Sequence, residues 1–165
     1  MNNLQLTELH PLIIQWAKDR NLLFEENAPK QRLKLIEECG ELASAILKND
    51  VKLQKDAIGD IFVVLVILAK QTGVEIEFLG YSKSFTSVEE KVSIILYDVL
   101  KWNEIDNAIS YLQDICVSMN LDLNECCNIA WNEIKNRKGK TENGTFIKDE
   151  NYDFPNIPGS EPTKH

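Results

Sequence analysis

The feature that most constrains this chain is the run Ile61-Phe62-Val63-Val64-Leu65-Val66-Ile67-Leu68-Ala69, apolar at every position. A surface helix carries one apolar stripe and a half-buried strand alternates. This run does neither, so it must be enclosed on all sides. It is also far too short to span a bilayer. Its β-branched residues would suit a buried strand, but no other segment offers a partner strand, and the run continues without punctuation from Asp56. The reading is a central helix from about Val51 to Thr72, stopped by Gly73, with the other segments packed around it.

Those segments read as helices too. Leu9, Leu12, Ile13 and Trp16 form an apolar stripe for a first helix, with Thr7 as N-cap and Pro11 in the first turn. Asn27-Ala28-Pro29 opens a second, from about Pro29 to Lys48, with Leu35, Leu42 and Ile46 for burial. Residues 74–86 connect to Ser87-Val88-Glu89-Glu90, a capping box that opens a fourth helix running to about Trp102. A fifth covers Ile105 to Met119. Asp122-Leu123-Asn124-Glu125 opens a sixth, which runs to about Asn136. Asn143-Gly144 marks a hairpin turn between Lys140-Thr141 and Thr145-Phe146-Ile147. The expected fold is all-α: a bundle of about six helices with a short C-terminal hairpin, one domain over residues 1–150, and a flexible tail at 151–165. Within the domain, residues 5–80 carry helices one to three and 87–138 carry helices four to six. A faint internal repeat aligns Ile58–Glu77 with Ile105–Asn124, and helix two with helix four. It sets Asn107 opposite Asp60, and Lys91 and Ile94 near Glu38 and Glu41, as though one copy keeps an acidic site and the other is scaffold.

The candidate chemistry lies in two acidic clusters, Glu37-Glu38-x-x-Glu41 and Asp56-x-x-x-Asp60, on consecutive helices separated by a break at Lys48-Asn49-Asp50. Residues three and four apart share a helix face. If the helices fold back on each other, four or five carboxylates converge. Such a cluster needs a cation, and an oxygen-only ligand set suits Mg2+ or Mn2+. Asp60 leads straight into the apolar run, where a partly buried carboxylate requires a partner. A basic segment, Lys135, Arg137, Lys138 and Lys140, with Lys148 beyond it, is a local positive patch suited to phosphate. Taken alone, each feature also reads as an ordinary solvated helix face or helix terminus.

Several classes are excluded or set aside. A net charge of −8 argues against a protein that coats nucleic acid. Four cysteines with no Cys-x-x-Cys spacing, and only two histidines, argue against structural zinc. Cys39 and Cys116 are expected to be buried free thiols. Gly139-Lys140-Thr141 imitates the end of a phosphate-binding loop, but Ile134 stands where its first glycine belongs and a helix precedes it instead of a strand. The N-terminus shows no basic region followed by an apolar run, so no signal peptide is expected and a cytoplasmic protein without membrane partners is. Trp16, Trp102 and Trp131 suit core or interface, with Trp16 the best candidate to stack on a base.

Glu37-Glu38-Cys39-Gly40-Glu41-Leu42 followed by Asp56-Ala57-Ile58-Gly59-Asp60 resembles the signature of the MazG-like nucleoside triphosphate pyrophosphohydrolases, which are all-α. Trp131 to Lys140, with Gly144 to Lys148, is similar to the tail of MazG-like proteins of bacteriophages and their hosts. The resemblance implies Mg2+-dependent cleavage of a nucleoside triphosphate to the monophosphate and pyrophosphate, in a bacterial or phage-infected cell. It implies Glu38, Glu41 and Asp60 as metal ligands and Glu37, Glu38, Glu41 and Asp60 as catalytic residues. Lys34, Lys135, Arg137 and Lys138 fall to the substrate. The family's second motif places a glutamate where this chain has Ala57. Asp56, about 100° around the helix, is the substitute as a metal ligand. Glu41→Gln is expected to abolish turnover, and a homodimer or larger homo-oligomer is expected. Two other classes suit the same residues: a non-catalytic nucleotide- or partner-binding helical protein, and a hydrolase of an alarmone.

Overall fold

The computed structural model describes residues 3–78 and 83–149. Among them the architecture is all-α: α1 (Leu6–Lys18), α2 (Ala28–Leu47), α3 (Val51–Thr72), α4 (Val88–Tyr97), α5 (Ile105–Ser118) and α6 (Leu123–Ile134), then an antiparallel hairpin of β1 (Gly139–Glu142) and β2 (Thr145–Lys148). The tail expected at residues 151–165 lies outside the described residues.

Every residue from Ile61 to Ala69 is buried. α3 packs most extensively against α2 and α6, and also meets α1 and α5. At about 1.5–3 kcal/mol for each large aliphatic or aromatic side chain, this helix is the chief apolar contribution to the fold. α6 lies closest at Gly59, where an added Cβ would overlap the Cys126 carbonyl and stand 2.8 Å from the Ala130 Cβ. Gly59→Ala must therefore push α6 away from the helix that carries Asp60. A loss of about 1–3 kcal/mol is expected in urea unfolding; an unchanged midpoint would show that the two helices separate freely.

Asparagine punctuates the chain. Asn21, Asn49, Asn103, Asn120 and Asn143 all have positive φ, and each stands at the end of an element or in the hairpin turn. Asparagine tolerates the left-handed region better than other residues with a Cβ. Two helix starts use the local side-chain acceptors expected, Glu90 N–H donating to Ser87 Oγ (3.2 Å) and Glu125 N–H to Asp122 Oδ1 (2.7 Å), and α3 adds a third, Leu53 N–H donating to Asp50 Oδ1 (3.1 Å). The first helix departs from expectation. It begins at Leu6 with Gln5, not Thr7, as N-cap, and Pro11 sits inside it. The donors Leu4 N–H and Leu6 N–H are taken by Asn128 and Asn124 of α6, a tertiary solution to a local problem. The fourth helix also differs: α4 ends at Tyr97 and the segment to Trp102 is a π turn, closed by Asn103.

α4 and α5 enclose an ion pair. Lys91 and Asp114 are 2% and 1% exposed, with Lys91 Nζ 2.9 Å from Asp114 Oδ2. All four cysteines are free and buried. No helix among the described residues is long and apolar enough to cross a membrane.

The hairpin turns through Asn143 and Gly144, both at positive φ, as a two-residue loop requires. Isolated hairpins are marginal, and this one is tied down. Thr141 Oγ1 donates to the Arg20 carbonyl, and the Arg20 guanidinium donates to the Arg137 carbonyl. Gly144 meets the loop ahead of α2 so closely that a Cβ would lie 2.8 Å from Asn27 Oδ1. The strands thereby lie against the α1–α2 junction.

Candidate active site

On α2 the buried positions Gln31, Leu35, Glu38, Leu42 and Ala45 form the stripe that faces α3. Glu38 therefore occupies a core position, 3% exposed, while Glu37 and Glu41 flank it in solvent. On α3, Asp60 faces the same space one residue before the apolar run. Between them lies a cavity of about 470 Å³, lined by Lys34, Glu37, Glu38 and Asp60 at one end and by Leu22, Val64, Ile67 and Phe146 among others elsewhere. Seven residues separate Glu38 from Gln31, which also lines it, so the cavity extends about 10 Å along α2.

Its acidic end is electrostatically unfinished. Lys34 Nζ bridges Glu37 Oε2 (2.8 Å) and Glu38 Oε1 (2.6 Å). Glu38 Oε2 is buried without a hydrogen-bond partner. Burial pushes the Glu38 carboxyl up and outweighs the opposing Lys34 ammonium, with Glu41 and Glu37 adding to the rise. Asp60 is pushed up to about 7 by burial and by the charges of Glu38 and Asp56, against the pull of Arg137. Two carboxylates made costly to ionise, one with an orphaned oxygen, describe a place for a cation. The donor chemistry fits Mg2+ or Mn2+, which bind oxygen. Among the described residues no group of three or more His, Cys, Asp or Glu side chains is placed to hold a metal ion, so the expected convergence of four or five carboxylates does not form: Glu41 and Asp56 stay outside the cavity lining. Mg2+ accepts this, because it characteristically takes one or two carboxylates and completes its shell with water and substrate phosphates.

The expected residues divide. Lys34, Glu37, Glu38, Asp60, Arg137 and Trp16 line the cavity. Glu41, Asp56, Lys135 and Lys138 are not in its lining. Glu41 is exposed on α2, and Asp56 is half-buried, near enough to raise Asp60. Ala57, which stands where the signature that this chain resembles has a glutamate, is buried in the core. Lys135 Nζ bonds Asn132 Oδ1. Trp16 is already engaged: its Nε1 donates to the Ile134 carbonyl (2.8 Å), the Arg20 guanidinium lies 4.4 Å over its ring, and Phe146 meets it edge-on at 5.4 Å.

Sequence reasoning did not place Lys30, Gln31 or Phe146 in the site; Lys148, expected only as part of a phosphate patch, does line the cavity. Lys30 lies one turn before Lys34 on α2, a signal that helical spacing carries. Phe146 and Lys148 arrive only through the folding back of the hairpin.

One comparison with known proteins falls on this region. Residues 28–93 match the model of the MazG nucleotide pyrophosphohydrolase domain, a span that holds every acid of the two clusters. The chain is also 51% identical over 70 residues to an 18.2 kDa protein from the rep-hol intergenic region of Haemophilus phage HP1. That alignment covers 42% of this chain and 43% of the phage protein, less than half of either. No solved structure matches the chain.

Proposed function

We propose that this chain, with a MazG-type domain at residues 28–93, is a divalent-metal-dependent pyrophosphohydrolase that cleaves ribo- or deoxyribonucleoside triphosphates to the monophosphate and pyrophosphate. The observation that carries this reading is Glu38: a buried carboxylate with one unpartnered oxygen, beside Asp60, at the charged end of a cavity whose other end is apolar. A triphosphate with a flat base has the same polarity.

Glu38 and Asp60 would hold Mg2+ or Mn2+, which when bound neutralises phosphate charge and acidifies water. Lys34 is half exposed and can turn from the carboxylates to a phosphate oxygen. Arg137, Lys30 and Lys148 put further positive charge on the lining. Glu37, at the solvent side of Lys34, would orient the water that adds to the α-phosphorus as pyrophosphate leaves. The buried Ala57 favours one other reading, a nucleotide binder that has lost turnover.

The test is pyrophosphate release from a panel of NTPs and dNTPs with Mg2+, Mn2+ or chelator, read beside thermal melts. Metal-dependent release is expected. Without metal, Asp60 holds its proton more tightly folded than unfolded, so its contribution to stability falls as pH rises from about 4 to about 7. Mg2+ must displace that proton, so it should raise Tm more at about pH 8.5 than at about pH 5.5. Absence of release from every nucleotide, with Mg2+-dependent nucleotide binding intact, would select the binder.

A further inference from the structure

We infer that the apolar end of the cavity is a nucleobase pocket in which Phe146 forms the wall and Gln31 reads the edge of the base. The C-terminal hairpin, outside the residues that match the MazG domain, then helps set which nucleotide is accepted. This inference rests on the reading of the cavity as a nucleotide site.

Three observations carry it. First, the cavity is polarised along α2: the carboxylates and Lys34 stand at one end, and one to two helical turns away the lining is mainly apolar, Leu22, Val64 and Ile67, with Lys30 beside Gln31. Ligand sites of this kind use apolar walls for affinity and a few placed polar groups for selection.

Second, Gln31 is buried at that end, and its Nε2 donates to the Val64 carbonyl at 3.5 Å, long for such a bond. A buried amide so loosely satisfied has donor and acceptor capacity to offer a ligand. The same pairing of donor and acceptor is what matches the edge of a nucleobase.

Third, Phe146 is fixed in place. Trp16 meets its ring at 5.4 Å and the Arg20 guanidinium at 5.7 Å, and the hairpin that carries it is anchored through Thr141, Arg20 and Arg137. A wall so held needs little ordering when a ligand arrives. Trp16 is committed to Arg20 and Ile134, so the stacking role passes from Trp16 to Phe146.

Calorimetric titration of the full chain with the four nucleoside monophosphates, and with inorganic tripolyphosphate, all in Mg2+, tests this. Phe146→Ala and Phe146→Leu should each weaken the preferred monophosphate about tenfold and leave tripolyphosphate binding unchanged. Phe146→Leu keeps an apolar contact on Trp16, which guards against misfolding of the hairpin. Gln31→Leu should bring the affinities for the best and worst bases within about threefold of each other. Unchanged affinities and base ratios in these variants would overturn the inference, as would wild-type protein that binds tripolyphosphate and no monophosphate. Wild-type protein that binds monophosphates through Phe146, yet releases no pyrophosphate from any triphosphate, would overturn the hydrolase reading and leave the base pocket standing.

Discussion

Glu38→Gln is expected to lower metal-dependent pyrophosphate release by about a hundredfold or more, with Tm in metal-free buffer unchanged or raised. The two effects have one cause. Glu38 is a carboxylate at a core position of α2, 3% exposed, with Oε2 unpartnered and its ionised form disfavoured by burial. Glutamine fills the same volume without that ionisation cost, and Lys34 keeps its contact with Glu37. The variant should also lose the rise in Tm that Mg2+ gives the wild type. Loss of turnover with stability retained marks a residue kept for chemistry against the interest of the fold. A substantial fall in Tm with full activity in the surviving protein would make Glu38 structural. Glu41→Gln separates the motif from the cavity. A loss as deep as that of Glu38→Gln makes Glu41 a ligand, and a loss under about tenfold leaves it as background charge.

The opposite outcome is expected at Lys91 and Asp114. Removing either partner alone, as Lys91→Met or Asp114→Asn, should cost about 3–5 kcal/mol, or very roughly 6–20 °C in Tm at the usual conversion for a chain of this size. Either change leaves a buried charge without its counter-charge: Lys91 Nζ would face Ser118 Oγ (3.0 Å) and a neutral amide, and in the other variant Asp114 Oδ2 would keep the Ser84 N–H (3.0 Å) without the ammonium. Asp114 Oδ1 already lacks a partner. The double variant Lys91→Met with Asp114→Leu should recover most of the loss, because a buried pair gains little over apolar packing. Burial alone would raise the Asp114 carboxyl, but Lys91 and the Ser84 N–H outweigh it and hold it below its ordinary value. Its stabilisation is therefore present above about pH 4, the unfolded range, and is lost as pH falls through the lower folded value. Asp114→Asn should remove that acid slope, whereas pyrophosphate release per folded molecule should be unchanged. If the double variant is no more stable than the single ones, the pair is a net stabiliser of the fold.

The repeat expected from the sequence would set Lys91 of α4 near Glu38 of α2. Both positions bury a charge, and the two solutions differ. Lys91 has its counter-charge on the neighbouring helix, and Glu38 leaves one oxygen open to a cavity. The helix boundaries were legible for local reasons. Asp50, Ser87 and Asp122 cap as their side chains dictate, and Val51–Thr72 coincides with the helix expected there. The start of α1 was misplaced: Gln5 and Glu8 form a local capping box where Thr7 was expected to cap, and the Leu4 and Leu6 N–H groups are satisfied by Asn128 and Asn124, more than a hundred residues away. The π turn at residues 98–102 left no mark in a periodicity that reads as plain helix.

By itself the sequence determined that this chain is all-α, that α3 is central, where most helices begin and end, and which acids and bases are candidates. Those follow from hydrophobic period, backbone conformational preference and capping chemistry, all of which act over a few residues. Only the tertiary structure decided which candidates share a cavity. It buried Glu38 and left Glu37 and Glu41 in solvent, because the stripe through Leu35 and Leu42 is the face that α3 covers. Of the basic patch it kept Arg137 and Lys148 in the cavity lining and left out Lys135 and Lys138, and it brought in Phe146, because the hairpin folds back through bonds between residues such as Thr141 and Arg20, 121 positions apart. A side chain's chemistry is local, but its burial and its partners depend on which face of its element meets which neighbour, and that is settled only when the whole chain packs.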